Sequence, residues 1–387
     1  MINYEDIIKK FGTPTYVYDV NTLVDRVKYL KSKFNDNVNI VYAVKANTFI
    51  AKEIDDSVER FEICSPGEYY ICDKLGINHN KMVISGVNKD KSFIEELISN
   101  NDDILIYTIE SIVHFNILKE LTKKYKRKIN VLIRLTSGNQ FGVSEEDFRY
   151  ILENNSKLIN IEGIEYFSGT QKHSLKRINK EIDYLLEFCN IIKQEYGITF
   201  KEIEYGPGLP IYYFQDDEFN EEEFINEVSI IIDKMSEYKV SLELGRSIAA
   251  SCGNYLTSVV DLKTNKNGNN VIVDGGMNHI VYYGQTMAMR IPYYNVLPNK
   301  KDEEVTYNIF GSLCTVNDIL VKNITTRKLD IGDTFVFKNV GAYSSTEGIS
   351  LFLSRDLPKI VIIDKKGNLR LVRDTIRTSN INCPNYE

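Results

Sequence analysis

The sequence predicts an α/β protein made of a (β/α)8 barrel of the TIM type and a second, all-β, barrel-like C-terminal domain. From about residue 24 to 250, short β-branched runs alternate with longer amphipathic helix patterns. From about residue 255, strand patterns follow one another with little helix between them. No Gly-x-Gly-x-x-Gly motif opens the first crossover, which disfavours a dinucleotide-binding Rossmann fold.

Eight β-rich runs are the predicted barrel strands: Ile40–Val44, Arg60–Cys64, Met82–Ser85, Ile104–Thr108, Ile129–Leu135, Ile161–Phe167, Glu202–Tyr205 and Val240–Glu243. Helix patterns between them lie at Lys91–Asn100, Ser111–Lys124, Glu145–Asn154, Ile178–Glu195 and Glu221–Glu237. Repeated strand–helix units of this number are typical of a (β/α)8 barrel, because an open parallel sheet usually has fewer repeats.

Further strands are predicted in the C-terminal part, at Tyr255–Leu262, Asn270–Asp274, Thr306–Phe310, Thr334–Asn339, Lys359–Ile363 and Leu369–Val372. Turns rich in glycine and asparagine separate several of them. The early strand Thr15–Asp19 precedes the first barrel helix, so we expect it to pair with the β domain. The predicted domains are therefore a barrel at residues 24–254, and a β domain formed by residues 1–23 together with 255–387.

The composition is that of an ordinary globular protein, with 43% hydrophobic and 26% charged residues. A formal net charge of −7 argues against nucleic-acid binding, which needs a basic face. The sequence has no apolar run long enough to span a bilayer and no secretory pattern at its start, so we expect a cytoplasmic protein without membrane attachment. The six cysteines and four histidines show no zinc-type spacing, which predicts no metal site.

Lys45 ends the first predicted strand, in the run Val41-Tyr42-Ala43-Val44-Lys45. Burial disfavours the charged form of lysine, so a lysine at the end of a buried strand costs folding free energy. That cost is explained if the lysine has a chemical use. A desolvated lysine is a nucleophilic amine that holds an aldehyde as a Schiff base. The alternative is a surface lysine whose stem covers apolar residues.

Glycine and small hydroxyl residues follow the sixth, seventh and eighth strands, where a barrel collects its chemistry. These segments are Ser168-Gly169-Thr170-Gln171, Gly206-Pro207-Gly208 and Gly245-Arg246. Glycines there let backbone N–H groups approach a phosphate. Glu243, at the end of the eighth strand, is suited to pair with a pyridine nitrogen, and a salt bridge with Arg246 is the alternative. A phosphate site, a lysine nucleophile and a strand-end carboxylate together suggest pyridoxal 5'-phosphate.

In these segments the sequence resembles the fold type III pyridoxal-phosphate enzymes, the ornithine/diaminopimelate/arginine decarboxylase family, whose barrel is shared with alanine racemase. The resemblance covers nearly the whole chain. The matching segments, in the family's order and spacing, are Tyr42–Asn47, Glu62–Glu68, Gly169–Gln171, Gly206–Gly208, Glu243–Arg246, Leu313–Asp318 and Gly341–Tyr343.

The resemblance implies a role for each matching residue. Lys45 would hold pyridoxal 5'-phosphate, Glu243 would face its pyridine nitrogen, and Arg134 and Phe167 would lie beside its ring. The other cofactor-binding positions, most of them around the phosphate, would be Thr170, Gly206, Gly208, Gly245, Arg246 and Tyr343. Cys314 would come from the partner subunit of a homodimer and protonate the carbanion, while Asp318 would help to bind substrate.

Three features favour decarboxylation over racemisation. Racemases of this type pair the pyridine nitrogen with arginine and follow the lysine with a glycine-rich extension. Here position 243 is glutamate, and Asn47-Thr48-Phe49-Ile50 follows the lysine motif. Cys314 is the third feature. We therefore expect a pyridoxal-phosphate-dependent amino-acid decarboxylase, a carboxy-lyase. The alternatives are an amino-acid racemase and a non-catalytic protein that manages cofactor supply.

Several departures from the family pattern bear on the substrate. Phe167 replaces a stacking histidine, and Pro207 replaces a glycine and removes one N–H donor. Thr315 stands where the diamine-forming and diaminopimelate enzymes have an acidic residue that holds the distal ammonium. The loop Leu135–Phe141 is also shorter than in the diaminopimelate enzymes. These differences favour the minority branch that acts on acylated or carrier-tethered amino acids, or on siderophore precursors.

Overall fold

The computed structural model describes residues 2–100, 103–282 and 289–384. The chain forms two compact units. The β unit combines Met1–Leu23, Ile211–Phe219 and Ala249–Glu387. The barrel unit combines Val24–Pro210 and Asn220–Ile248.

The strands of the described residues are, in chain order, β1 (Thr15–Asp19), β2 (Val38–Ala43), β3 (Arg60–Ile63), β4 (Met82–Ile84), β5 (Ile106–Ile109), β6 (Ile129–Arg134), β7 (Ile159–Phe167), β8 (Glu202–Gly206), β9 (Lys239–Leu244), β10 (Gly253–Asn265), β11 (Gly268–Val273), β12 (Tyr294–Leu297), β13 (Glu304–Phe310), β14 (Ile319–Arg327), β15 (Thr334–Lys338), β16 (Lys359–Ile363) and β17 (Leu369–Arg373). The α-helices are α1 (Tyr4–Phe11), α2 (Val20–Lys31), α3 (Pro66–Lys74), α4 (Lys91–Ser99), α5 (Ile112–Tyr125), α6 (Glu145–Glu153), α7 (Leu175–Tyr196), α8 (Glu221–Ile232), α9 (Arg246–Ala249) and α10 (Ser379–Asn382).

The barrel unit contains a closed barrel of parallel strands, β2 to β9, each paired with its neighbours in chain order. β9 returns to pair with β2, with Val41 opposite Glu243 and Tyr42 opposite Leu244, and this pairing closes the barrel. The predicted (β/α)8 fold is therefore confirmed. The strand ends differ from the predicted ones by no more than about two residues, the usual scatter of such boundaries.

Polar caps fix where the barrel helices begin. The Ser65, Ser111, Ser144, Ser174 and Asn220 side chains each accept a hydrogen bond from the backbone N–H three residues later. Each cap satisfies one of the N–H groups that a helix start leaves without a partner. The βα-loops between strand ends and caps are thus held in place, and they carry most of the predicted site residues.

The β unit is built on a mixed sheet with the strand order β14-β13-β11-β10-β1-β16-β17, while β15 pairs with β10 and β12. β1 lies between β10, to which it is antiparallel, and β16, to which it is parallel. Its Val17 packs with Leu256, Val336 and Ile7 in one buried cluster. The expectation of a second, all-β domain is confirmed.

Four elements of the β unit were not predicted: α1, β12, β14 and α10. In β14 the register shifts against β13, and Asn323 has a left-handed φ of +54°, so the apolar alternation that indicates a strand is interrupted. Ile211–Phe219 belongs to the β unit, whereas the predicted boundaries placed it in the barrel. There Phe214 packs against Tyr282, and Arg290 pairs with Asp217 at 2.7 Å.

Within the described part of the chain, no helix combines the length and the apolar character that crossing a membrane requires.

Candidate active site

Lys45 lies directly after β2, in a single 3-10 turn formed by Val44–Ala46. Its Nζ is 2.7 Å from Glu62 Oε2 and 3.4 Å from Cys64 Sγ. The Lys45 side chain is 42% exposed, whereas the Glu62 side chain is only 2% exposed. The expectation of a desolvated lysine is therefore wrong. The strand ends at Ala43, so the amine emerges at the end of the barrel and gains a buried carboxylate as its partner.

Glu62 and Cys64 set the electrostatics around Lys45. Burial alone would raise the pKa of Glu62, but Lys45, Cys64 and Arg134 lower it overall, so Glu62 is held as the carboxylate. Burial, and then the neighbouring Glu62, raise the pKa of the Cys64 thiol well above its ordinary value. Cys64 therefore remains a thiol and donates to Glu62 Oε1 at 3.2 Å.

The barrel interior carries an ionic network in which Arg60 is the first cation. Arg60 Nη2 lies 2.9 Å from Glu202 Oε2, and Arg60 Nη1 lies 3.1 Å from Glu204 Oε2. Arg60 is on β3 and both carboxylates are on β8, which do not pair with each other, so these bonds cross the interior. Glu202 also accepts from Ser241 Oγ of β9 at 2.6 Å.

Glu243, on β9, has a carboxylate oxygen without a hydrogen-bond partner in the part of the chain that the structure describes. Its Oε1 is buried and has no hydrogen-bond partner among the described residues. Burial, and then the nearby Glu62 and Glu204, raise the pKa of Glu243 well above its ordinary value. Such a carboxyl gains most from a positively charged N–H donor placed beside it, because the donor satisfies the oxygen and offsets the surrounding negative charge.

Arg134 ends β6 and is held between two buried carboxylates. Its Nη1 is 3.1 Å from Glu110 Oε2 and 3.3 Å from Glu165 Oε1. Its guanidinium also lies over the Phe141 ring, 4.8 Å from the centroid. Burial alone would lower the pKa of Arg134, yet Glu165 and Glu110 raise it overall, so the guanidinium remains charged inside the barrel end.

The turn Gly206-Pro207-Gly208 begins at the last residue of β8 and needs glycine at both ends. A Cβ atom at position 206 would lie 2.2 Å from Phe167 Cδ2, because the Phe167 ring packs on the Gly206 backbone. A Cβ atom at position 208 would lie 2.3 Å from Gly169 O, and Gly208 has a φ of +61°. The three strand-end segments predicted to approach a phosphate are thus partly in contact: the 206–208 turn packs on the 167–170 loop.

Three other predicted cofactor residues, Thr170, Gly245 and Arg246, lie in βα-loops at this same end of the barrel. Thr170 is partly exposed in the loop between β7 and α7. Gly245 and the buried Arg246 form the turn from β9 into α9. The structure therefore brings Lys45, Glu243 and Arg134 to the strand ends from which these loops start.

Cys314, Asp318 and Tyr343 belong to the β unit. Cys314 is exposed, and Tyr343 lies in a turn with a φ of +64°. Asp318 is buried, and burial raises its pKa. Its two carboxylate oxygens accept from Met277 N at 2.8 Å and Leu313 N at 2.7 Å, so both oxygens are satisfied by backbone N–H groups.

Sequence reasoning gave no role to several residues that the structure places at the site, although the segment Glu62–Glu68 was matched to the family. They are Glu62, Cys64, Lys89, Glu110, Glu165, Lys172 and Glu204. Charged residues two positions apart within one strand, as at 60 and 62 or 202 and 204, point to the same face and are the signal for a polar interior. No such signal exists for Lys172, whose partner Glu181 lies on the helix that follows.

The described residues fit pyridoxal 5'-phosphate. An accessible lysine, a glycine turn at a strand end and a buried Glu243 oxygen without a partner are the three features that its aldehyde, its phosphate and its ring nitrogen require.

A family model described as "Pyridoxal-dependent decarboxylase, pyridoxal binding domain" matches residues 20–250. The chain belongs to this family. Its cofactor is pyridoxal 5'-phosphate, and its class is that of the decarboxylases. The predicted family, fold, cofactor and enzyme class are confirmed, and the relatives do not favour the racemase alternative.

Curated relatives span nearly the whole chain. A diaminopimelate decarboxylase from Aquifex aeolicus is 26% identical over 393 residues, which cover 96% of this chain and 91% of that protein. An L-glutamyl-[BtrI acyl-carrier protein] decarboxylase from Niallia circulans is 26% identical over 400 residues, which cover 95% and 92%. The crystal structure of AQ1208 from Aquifex aeolicus has a TM-score of 0.84 at 26% identity and covers 97% of this chain and 92% of its own.

Proposed function

We propose that this enzyme removes the α-carboxylate of an amino acid whose distal end is acylated or tethered to a carrier, that Lys45 holds the cofactor and that Cys314 supplies the proton to the α-carbon. The observation that carries the proposal is the pairing of an accessible Lys45 with the buried Glu62, in the same barrel whose Glu243 has an unsatisfied buried oxygen. This cofactor chemistry needs two groups from the protein: a lysine amine that bonds the aldehyde, and a carboxylate such as Glu243 that accepts a hydrogen bond from the ring nitrogen.

The chain's own residues divide the work. When bound, pyridoxal 5'-phosphate supplies the electron sink that accepts the pair released as carbon dioxide leaves. Glu62 holds the Lys45 amine in place, Glu243 favours a protonated nitrogen, and Arg134 supports the interior through Glu110 and Glu165. The Cys314 thiol gives the α-carbon the proton that takes the place of the lost carboxylate, and the resulting thiolate takes a proton from solvent before the next turnover.

The substrate proposal rests on the residue beside Cys314. Thr315 is partly buried, and its backbone C=O accepts from Asp318 N. Because threonine is uncharged, this position offers no negative charge to a distal ammonium. The Niallia circulans relative, named for a carrier-bound glutamyl substrate, supports a substrate without that ammonium. Diaminopimelate is the second candidate, because several relatives are named for it.

A homodimer with shared active sites completes the proposal. The segment Ile349–Leu353 exposes four large apolar side chains, and Val316, two residues from Cys314, is 86% exposed. Arg355 Nη2 donates to Ser312 O at 2.9 Å, so this segment lies beside the Cys314 loop. A contiguous exposed apolar patch is typical of a protein interface, and a second copy of the chain is the occupant we propose.

The test is an absorbance spectrum of the purified protein followed by a carbon dioxide assay. The panel contains free diaminopimelate, ornithine, lysine and glutamate, their N- or γ-acylated forms, and a glutamyl-carrier thioester. We expect a visible band that sodium borohydride removes, and carbon dioxide from the acylated or carrier-bound compounds. Release from free diaminopimelate alone would reverse the substrate assignment.

Lys45→Ala is the matching variant. We expect the borohydride-sensitive band to disappear and carbon dioxide release to fall by roughly 10³-fold or more. Lys52→Ala is the control, because Lys52 is similarly exposed at 46% and is also ion-paired, to Asp55 at 2.9 Å. A wild-type band in Lys45→Ala would overturn the lysine assignment.

A further inference from the structure

Lys172 is a buried lysine whose function the site described so far does not explain. Its side chain is 1% exposed, and its Nζ lies 2.7 Å from Glu181 Oε2. Burial lowers the pKa of Lys172, and the charge is retained only in so far as Glu181 supports it. The contacts of Lys172 should explain why a charged residue is buried here, because an apolar residue would fill the same space without desolvating a charge.

Lys172 bonds both glycines of the Gly206-Pro207-Gly208 turn. Its backbone N–H donates to Gly208 O at 2.9 Å, and its Nζ donates to Gly206 O at 3.1 Å. Its Cε would lie 3.2 Å from a Cβ atom built at Gly208. The two carbonyls that flank Pro207 are thus fixed by one residue. Since peptide units are planar, these bonds fix the 206–207 and 208–209 peptide planes on either side of the Pro207–Gly208 peptide.

Glu181 connects this contact to the surrounding elements. Besides Lys172, the Glu181 carboxylate accepts from Tyr205 Oη at 2.7 Å and Arg177 Nε at 3.0 Å, and it also accepts from Ser168 Oγ. Tyr205 lies on β8 immediately before the turn, and Ser168 opens the neighbouring loop. The network therefore joins the end of β8, the 168–172 loop and the first turns of α7 through one carboxylate.

We propose that Lys172 is a positioning residue that fixes the 206–208 turn for the phosphate of the cofactor and supplies positive potential there. Proline at position 207 leaves the turn one N–H donor short. Lys172 and Arg177 bring two positive charges against the single negative charge of Glu181, so the network favours an anion beside the turn. This inference rests on the proposed phosphate-binding role of the turn.

The experiment compares two ligands on the apoenzyme. Pyridoxal 5'-phosphate and pyridoxal share the aldehyde and the ring, and they differ only in the phosphate. Dissociation constants for both are measured by fluorescence titration for the wild type, Lys172→Met, and the double variant Lys172→Met/Glu181→Gln. The double variant removes both charges, so it guards against a single variant that fails to fold because the Glu181 carboxylate loses its buried lysine partner.

In Lys172→Met, which removes one positive charge and the bond to Gly206 O, we expect the dissociation constant for pyridoxal 5'-phosphate to rise about tenfold or more. In the double variant, which keeps the net charge of the network, we expect a smaller rise of about threefold from the lost bond alone. The constant for pyridoxal should stay within about twofold in both variants. Lys176→Met, at an exposed lysine on α7, is the matched control and should leave both constants unchanged. Equal losses for both ligands, or no loss for either, would overturn the role of Lys172. A wild type that binds pyridoxal as tightly as its phosphate ester would instead overturn the phosphate role of the turn itself.

Discussion

At the scale of single residues, Glu204 shows how burial inside the barrel changes the pKa of a carboxyl group. It is fully buried, and its Oε1 has no hydrogen-bond partner among the described residues. Burial raises the pKa of Glu204 from 4.5 to about 8, although Arg60 opposes this shift. The native apoprotein therefore binds a proton at pH values where the unfolded chain has released it.

The sign of the pH effect follows from this difference. Between about pH 4.5 and 8, Glu204 binds more protons in the native state than in the unfolded state, so its contribution to stability falls as pH rises. Glu204→Gln keeps a neutral side chain of the same shape at every pH. We expect this variant to lose less stability between pH 5 and pH 8 than the wild type, by roughly 3 kcal/mol.

Urea unfolding of the cofactor-free protein at several pH values measures this difference. Glu187→Gln, at an exposed glutamate on α7, is the control and should follow the wild type. Parallel pH profiles for Glu204→Gln and the wild type would contradict the prediction.

Single residues also show what the sequence could and could not predict. Lys45, Glu243, Arg134 and the glycines were predictable because their position at strand ends follows from the strand pattern itself. The partner of Lys45 was not, because its pairing with Glu62 depends on the register between β2 and β3, which places Ala43 opposite Glu62. Ion pairs between barrel strands depend on the register of those strands. A single sequence indicates where the strands lie but not their register.

At the scale of elements, the loop between β13 and β14 is built around Asp318. Gly276 and Gly311 leave room for its carboxylate, because a Cβ atom at either position would lie within 2.6 Å of an Asp318 oxygen. The carboxylate accepts from Leu313 N, immediately before Cys314. The Asp318 carboxylate thus closes the loop that carries the Cys314 thiol. The resemblance alone had implied a role for Asp318 in substrate binding.

Asp318→Asn tests this loop-closing role. The amide offers one acceptor in place of two, so one backbone N–H loses its partner, at a cost of about 1–3 kcal/mol in stability. We expect kcat to fall about tenfold because Cys314 is misplaced, with KM and the affinity for pyridoxal 5'-phosphate nearly unchanged. Asp302→Asn is the control, since Asp302 also accepts a backbone N–H but is exposed. A rise in KM at constant kcat would instead favour direct binding of substrate by Asp318.

At the scale of the whole molecule, the residues for which we propose a role belong to two different units of the chain. Lys45, Glu243 and the glycine turns belong to the barrel unit, while Cys314 and Tyr343 belong to the β unit. The sequence predicted both units from their strand patterns. The exposed segment Ile349–Leu353 could not be recognised in advance, because it contains only a short 3-10 turn and its exposure depends on how the β unit folds around it.

A mixing experiment decides whether one active site uses residues of two chains. Lys45→Ala and Cys314→Ala are each expected to be inactive or nearly so as homodimers. If Cys314 serves the partner's barrel, a mixed dimer contains one site with both mutations and one intact site. Random exchange of equal amounts then restores about a quarter of wild-type carbon dioxide release. Mixing Lys45→Ala with the double variant Lys45→Ala/Cys314→Ala is the control and restores nothing, since no site regains its lysine. If Cys314 instead serves the barrel of its own chain, every site in the first mixture keeps one mutation, and activity stays at the level of the separate variants.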